Sequence, residues 1–166
     1  MRIIGIDPGY AIVGYGILDY EGNRFRVVDY GAITTKAGLQ LERRIEIIYD
    51  ALIKLLHTYR PQSMAIEKLF FTTNQKTAID VAQARGAIML CAIKNGAQLH
   101  EYTPLQVKQA VTGYGKADKN QMQQMTKTLL SLPAVPKPDD TADALAIAIC
   151  HAHTAGSGAG LLRRLG

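Results

Sequence analysis

The sequence predicts an α/β domain in which helices cover both faces of a mixed five-stranded sheet. Three observations support this: three strand-like segments come first, strands and helices alternate after residue 40, and nothing resembling a long linker divides the 166 residues. Three antiparallel strands followed by alternating helices and strands form a mixed sheet with helical cover on both sides. The chain is long enough for one domain with a sizeable core.

The first three predicted strands form a meander. Residues 2–7 make a short apolar strand that ends at Asp7, and residues 12–19 and 24–34 make two further strands. A turn is predicted at residues 21–23, where Gly22 follows Glu21 and precedes Asn23.

A helix and a fourth strand follow the meander. Apolar residues recur at alternating steps of four and three, which predicts a helix with one apolar stripe; they are Leu41, Ile45, Ile48, Leu52 and Leu55. The pair Arg60-Pro61 ends this helix. The segment "SMAIEKLFF" (63–71) predicts a compact strand that ends near Glu67.

A long helix is predicted over residues 75–95, ended by Asn95-Gly96. Its second half, "GAIMLCAI", is apolar on nearly every side and therefore needs cover on every side. A central core helix would satisfy this pattern, and a contact with a second copy of the chain is the alternative.

The last elements are a strand at 97–102, a helix from Pro104 to about 112, and a loop leading into a helix that ends near Leu132. A final helix is predicted at about 140–153. We expect residues 1–155 to form one domain and the Gly-rich residues 156–166 to form a flexible C-terminal tail.

Composition indicates the cellular compartment of the protein more clearly than its function. The net charge of +5 permits a phosphate-rich partner without requiring one. Cys91 and Cys150 both lie in apolar stretches, which indicates buried thiols in a reducing compartment. Neither a secretory signal nor an apolar run of about 20 residues is evident, so we expect a soluble, cytoplasmic protein.

Four carboxylates lie at strand ends or at a helix start, which are common positions for functional residues. Asp7 and Glu67 each end a short apolar strand, although a turn residue and a solvated glutamate are adequate explanations for each one alone. Asp140 and Asp143 are three residues apart at a helix start and share one side of it. Helix capping explains one of them, and the small residues that follow suit close packing on a sheet.

Convergence of these acids would require cations. Two carboxylates about 4 Å apart repel by roughly 4 kcal/mol at an effective dielectric of 20. Ligands that are all oxygen select Mg²⁺ or Mn²⁺. Two such ions would activate a water molecule and stabilise the leaving oxygen of a phosphodiester.

Six segments, in order and at similar spacing, resemble the RuvC family of bacterial Holliday junction resolvases over nearly the whole chain. They are "GIDPG", "AIEKLFF", "QARGAI", "EYTPLQVKQAVTGYG", "ADKNQ" and "DTADALAIA". The resemblance implies an RNase H-like fold and a homodimer. It also implies a Mg²⁺-dependent endonuclease that nicks two strands of a four-way junction symmetrically in recombination and repair, in partnership with RuvA and RuvB.

By position, the resemblance implies that the catalytic and metal-binding acids are Asp7, Glu67, Asp140 and Asp143. Asp139 is a neighbouring alternative for the third acid; we choose Asp140 because its i,i+3 spacing shares a helix face with Asp143.

Basic and aromatic residues complete the predicted DNA interface. The resemblance places Lys108 and Lys119 near the scissile phosphate. Lys119 lies near a helix start, where the dipole disfavours a cation, and Lys116 lies in the preceding Gly-rich loop; both suit an external phosphate. Phe70 is predicted to stack on an unpaired base, the alternative being that both Phe70 and Phe71 lie in the core.

Two rival functions share parts of the pattern. An actin-like or sugar-kinase-like ATPase also opens with an Asp and glycines, but this sequence lacks the second domain that such folds need. A module that binds junctions without cutting them is the other rival, and the presence of all four acids argues against it. His151 and His153 face different ways on a helix, so a zinc site there is not expected.

Overall fold

A computed structural model describes residues 1–69 and 75–164, with side chains described for 1–69 and 77–156. Its strands are β1 (Arg2–Asp7), β2 (Ile12–Glu21), β3 (Arg24–Thr34), β4 (Ser63–Glu67) and β5 (Gln98–Tyr102). They form one sheet in the order β3-β2-β1-β4-β5. The first three strands pair antiparallel, whereas β4 lies parallel to both β1 and β5. The predicted mixed five-stranded sheet is therefore confirmed.

Within the described residues, five helices cover the sheet on both faces, as predicted. They are α1 (Leu41–Tyr59), α2 (Gln75–Lys94), α3 (Pro104–Thr112), α4 (Lys119–Leu129) and α5 (Asp139–Arg164). One core joins Ile4 and Ile6 of β1 to buried residues of α1 and α2, and the other joins Ile3 to α3, α4 and α5. Successive strand residues face opposite sides, so the odd-numbered residues of β1 face α5.

Glycines bring α5 unusually close to the sheet. A Cβ on Gly14 would overlap the carbonyl oxygen of Asp140, and one on Gly16 would lie 2.6 Å from the Leu145 side chain. The start of α5 occupies the space above both glycines, so these glycines position the acids of that helix.

Several predicted bounds need correction. The α5 helix begins at Asp139 and runs to Arg164, well past the predicted end near residue 153. Our prediction missed this because glycines at 156, 158 and 160 lower helix propensity without preventing a helix. That residues 156–166 are flexible stays a prediction. The α4 helix ends at Leu129 rather than near Leu132, whereas β4 ends at Glu67, as predicted.

The α2 helix is buried on one side only. Its described outer face carries residues spaced alternately by four and three: Ile79, Gln83, Gly86, Leu90 and Ile93. Ile79, Leu90 and Ile93 are 61%, 55% and 59% exposed. The interpretation of α2 as a helix covered on every side is wrong for the chain alone, because the sheet and α1 reach only the opposite face. No helix among the described residues is both long and apolar enough to span a membrane.

Candidate active site

Two strand ends place Asp7 and Glu67 side by side. The parallel pairing of β1 and β4 joins Ile6 to Ile66, so the next residue on each strand is an acid. Asp7 has the same parity as Ile3, and Glu67 the same parity as Ala65; both of those residues lie in the core beneath α5. Both acids therefore point to the α5 side of the sheet.

The start of α5 supplies the other two acids. Gly14, which pairs with Asp7 across β1 and β2, touches the backbone of Asp140. The first turn of α5 is thus held directly above the end of β1, and Asp143 follows one turn later on the same side. Asp143 and Asp7 line one cleft together with Glu67.

The charges of the other three acids act electrostatically on Asp7. Burial is the main cause that raises the pKa of Asp7 to about 8, and the charges of Asp143, Glu67 and Asp140 raise it further. The pKa of Glu67 is also raised, mainly by burial and to a smaller extent by the charge of Asp143. The pKa of Asp143 is also raised, first by burial, against an opposing effect of Lys119. The structure therefore places the other three predicted acids within electrostatic reach of Asp7.

Asp139 has a different environment from Asp140. Its carboxylate accepts from Lys137 at 2.7 Å and pairs with Lys119 at 3.0 Å. Hydrogen bonds from Lys137 and Lys119 lower the pKa of Asp139 to about 2. The charge of Asp140, in contrast, raises the pKa of Asp7. The geometry favours the choice of Asp140 over Asp139 as the third acid of the cluster.

Lys119 lies at the mouth of the cleft. It is the first residue of α4, whose N-cap Asp118 exchanges hydrogen bonds with Gln121 in a capping box. The Lys119 ammonium is 3.0 Å from Asp139 and 3.8 Å from Asp143. A cation at a helix N-terminus is electrostatically unfavourable by itself, so these carboxylates hold it there.

The remaining predicted DNA contacts have mixed outcomes. Lys108 lines the cleft with Lys119. Lys116 is exposed in the loop before α4 but does not line the cleft. Phe70 lies outside the described residues. His151 is buried, and its Nδ1 is 2.8 Å from the Tyr102 hydroxyl. This is consistent with a core histidine.

The chemistry of the cluster fits a hard divalent cation. All four groups are carboxylates, two of them at the ends of adjacent strands, and Lys119 is the cation paired with them in the described part of the chain. Mg²⁺ and Mn²⁺ prefer such oxygen ligands. As the side chains stand, no three acids, histidines or cysteines of the described residues are grouped closely enough to share one ion.

One residue beside the site was not predicted. Arg85 of α2 donates from its Nε to the backbone oxygen of Glu67 at 3.2 Å. The sequence offered a signal, since Arg85 lies in the segment "QARGAI", but nothing in the sequence indicated what it would contact.

Comparison with known proteins decides the family. The family model described as "Crossover junction endodeoxyribonuclease RuvC" matches residues 3–151. The chain belongs to the RuvC family. The RuvC protein of Alkaliphilus oremlandii is 60% identical over 154 residues, covering 93% of this chain and 94% of that protein. That of Caldanaerobacter subterraneus is 51% identical and covers 100% of this chain and 98% of that protein.

Solved RuvC structures agree with the fold. The Thermus thermophilus RuvC structure superposes with a TM-score of 0.88 at 35% identity, covering 95% of this chain and 97% of that one. T. thermophilus RuvC in complex with a Holliday junction substrate gives a TM-score of 0.87 at 33% identity, with the same coverage. The resemblance to the RuvC family and its RNase H-like fold are thus both confirmed.

Proposed function

We propose that this chain is a structure-selective endonuclease that resolves Holliday junctions by nicking two strands symmetrically, in recombination and DNA repair. The observation that carries the proposal is the carboxylate cluster at the ends of β1 and β4, in a chain of the RuvC family. A binding module would have no use for half-buried acids such as Asp7 and Glu67, whose pKa values are raised at a cost in stability.

Asp7, Glu67, Asp140 and Asp143 are the proposed catalytic residues and metal ligands. They would hold Mg²⁺, with two ions per site and Mn²⁺ as a substitute. A bound ion would supply Lewis-acid stabilisation of the phosphodiester and a more acidic attacking water. The four acids bind and orient the ions, and the apolar floor of the cleft, which includes Ala146 and Ile147, limits the access of bulk water.

The lysines at the cleft suit a DNA backbone. Lys108 and Lys119 border the carboxylates, so a phosphate that approaches the acids also meets two cations. Lys116 extends the positive surface into the loop before α4. We assign phosphate contacts to these three lysines and base stacking to Phe70.

A second copy is proposed to pair through α2. The exposed stripe that contains Ile79, Leu90 and Ile93 would leave an apolar face in water unless another surface covers it. Its alternating steps of four and three are those of a helix that packs against a partner helix. Two symmetric nicks also call for two related active sites.

The cellular setting follows from this activity. We propose that the homodimer acts in the cytoplasm on junctions handled by the RuvA–RuvB branch-migration complex. Two buried cysteines without a disulfide, Cys91 and Cys150, agree with a reducing compartment.

The test compares substrates and metal. The protein is incubated with a four-way junction and with a linear duplex of the same sequence, each with and without Mg²⁺. Paired nicks confined to the junction and to the reactions with Mg²⁺ are expected. Binding of the junction without any nicking would favour the non-cleaving module, and hydrolysis of ATP without junction cutting would favour the ATPase.

A further inference from the structure

The peptide group that follows Glu67 is held at both of its polar ends. The Lys68 N–H donates to the Tyr102 carbonyl oxygen at 2.8 Å. The Glu67 carbonyl oxygen, which belongs to the same peptide group, accepts from Arg85 Nε at 3.2 Å. A peptide plane fixed in this way sets the backbone dihedral beside the Glu67 Cα, and thereby the direction in which its carboxylate leaves the strand.

Arg85 is itself held firmly. Its side chain is only 12% exposed, and its guanidinium also pairs with Glu101 of β5 and contacts the sulfur of Met89, 3.1 Å away. The planar fork of arginine thus joins three elements, α2, β4 and β5, at the edge of the sheet that carries the site. The Glu101 side chain is 37% exposed, and an ion pair with an exposed partner adds little to stability, so a positioning role is the better explanation for the placement of Arg85.

We propose that Arg85 is a positioning residue that aims the Glu67 carboxylate into the catalytic cluster and so sets the affinity of the site for its divalent cation. The Arg85 side chain acts through the backbone of Glu67 and makes no contact of its own with the substrate. This inference rests on the proposed metal role of Glu67 and adds the residue that orients that ligand.

The first test uses Arg85→Gln. Isothermal titration calorimetry of the DNA-free protein with Mn²⁺ should show cation affinity reduced by about tenfold, the lower end of the effect of losing an outer-shell partner. The KM for the junction should stay within about twofold, whereas the nicking rate at low Mg²⁺ should fall by about tenfold. Raising the Mg²⁺ concentration should restore most of that rate, because the ligand is misdirected rather than missing.

Two matched variants separate positioning from general damage. Arg43→Gln removes the same charge from an exposed ion pair with Glu46 on α1 and should leave Mn²⁺ affinity unchanged. Glu101→Gln weakens the pairing of Arg85 but keeps an acceptor, so its loss of affinity should be smaller, about threefold. If Arg85→Gln does not fold, Arg85→Lys serves instead, since an ammonium group cannot reproduce both bonds of the fork and should also weaken Mn²⁺ binding.

The outcomes distinguish this inference from the proposed function. Wild-type Mn²⁺ affinity in a folded Arg85→Gln or Arg85→Lys variant overturns the positioning role and leaves junction cleavage standing. So does a loss of thermal stability with no change in Mn²⁺ affinity. A wild-type protein that binds Mn²⁺ but never nicks junctions overturns the proposed function, and calorimetry still decides the role of Arg85.

Discussion

The half-buried carboxylates at the two ends of the sheet have opposite electrostatic environments. At the end where β1 begins, Asp19 lies between Arg2 and Arg26 and pairs with both. The hydrogen bond from Arg2 is the main cause that lowers the pKa of Asp19. At the end where β1 finishes, burial and three neighbouring acids raise the pKa of Asp7 to about 8.

This difference separates an arrangement that serves stability from one that serves function. Two arginines neutralise the charge of Asp19. At the other end of the sheet, Lys119 lies beside four acids and pairs with Asp139 as well, so it cannot neutralise all of them. A local excess of half-buried negative charge costs folding free energy unless a cation binds from outside. The end of the sheet with the unneutralised acids is therefore the end where a divalent cation and DNA phosphates are expected.

Removing acids from the end of the sheet that carries the candidate active site should have the largest effect, which is on the rate of junction nicking. We expect Asp7→Asn and Asp143→Asn each to lower the rate of junction nicking by roughly 10³-fold, because a bound ion supplies several kcal/mol of transition-state stabilisation. The double variant should be little worse than either one, since the acids act as a unit. Asp19→Asn, at the other end of β1, serves as the control and should nick at the wild-type rate.

The pH dependence of stability should reveal the same contrast without any substrate. Below the pKa of Asp7 in the unfolded chain, near 4, both states hold the proton, and no penalty arises. Between about 4 and about 8 the unfolded chain releases a proton that the folded protein keeps, so the free energy of unfolding falls as pH rises.

Urea denaturation without divalent cations, at pH 5 and at pH 8.5, measures this loss. Asp7→Asn should gain stability over the wild type at pH 8.5 by ~3 kcal/mol relative to pH 5. An equal difference between the two proteins at both pH values would mean that Asp7 titrates normally.

Removing the Asp19 carboxylate should lower the free energy of unfolding and leave junction nicking unchanged. Asp19→Asn leaves the guanidinium of Arg2, which is 32% exposed, without its carboxylate partner. We expect the free energy of unfolding to fall by about 1–2 kcal/mol. The measurement is urea denaturation at pH 7, and an accompanying loss of nicking by the folded variant would contradict the division between the two ends.

The smallest effects should come from the surface charges at the cleft. Lys119→Ala should reduce the slope of log Kd against log salt for junction binding by about 1, because one phosphate contact is lost. Asp139→Asn should leave that slope unchanged or make it steeper, since it releases Lys119 and Lys137 from their carboxylate. Salt titrations of binding by fluorescence anisotropy compare the two, and a shallower slope for Asp139→Asn would contradict the pairing.

The sequence was sufficient for the sheet and for the four acids, because both depend on local signals. Strand ends are visible as apolar runs that stop at Asp7 or Glu67, and the helix face shared by Asp140 and Asp143 follows from their spacing. The family resemblance indicated that they converge. Lys108 and Lys119 were also predicted, and the structure places both at the cleft.

Contacts between segments far apart in the sequence could not be predicted from such local signals. The hydrogen bond from Arg85 to Glu67 joins residues 18 apart, and its existence depends on how α2 lies across the sheet. The close approach of Gly14 to the backbone of Asp140 depends on how closely α5 approaches β2. Periodicity reports which side of an element is apolar, but not which residue of another element will meet it.

The most direct test of the central contrast is thermal unfolding at pH 8 with and without 10 mM Mg²⁺, because a ligand that binds only the folded state raises the free energy of unfolding. The wild type and Asp19→Asn should both unfold several degrees higher with Mg²⁺, because the cation binds only the folded carboxylate cluster. Asp7→Asn should show little or no increase. Equal increases in all three proteins, or no increase in the wild type, would contradict the assignment of the acidic end as a divalent-cation site.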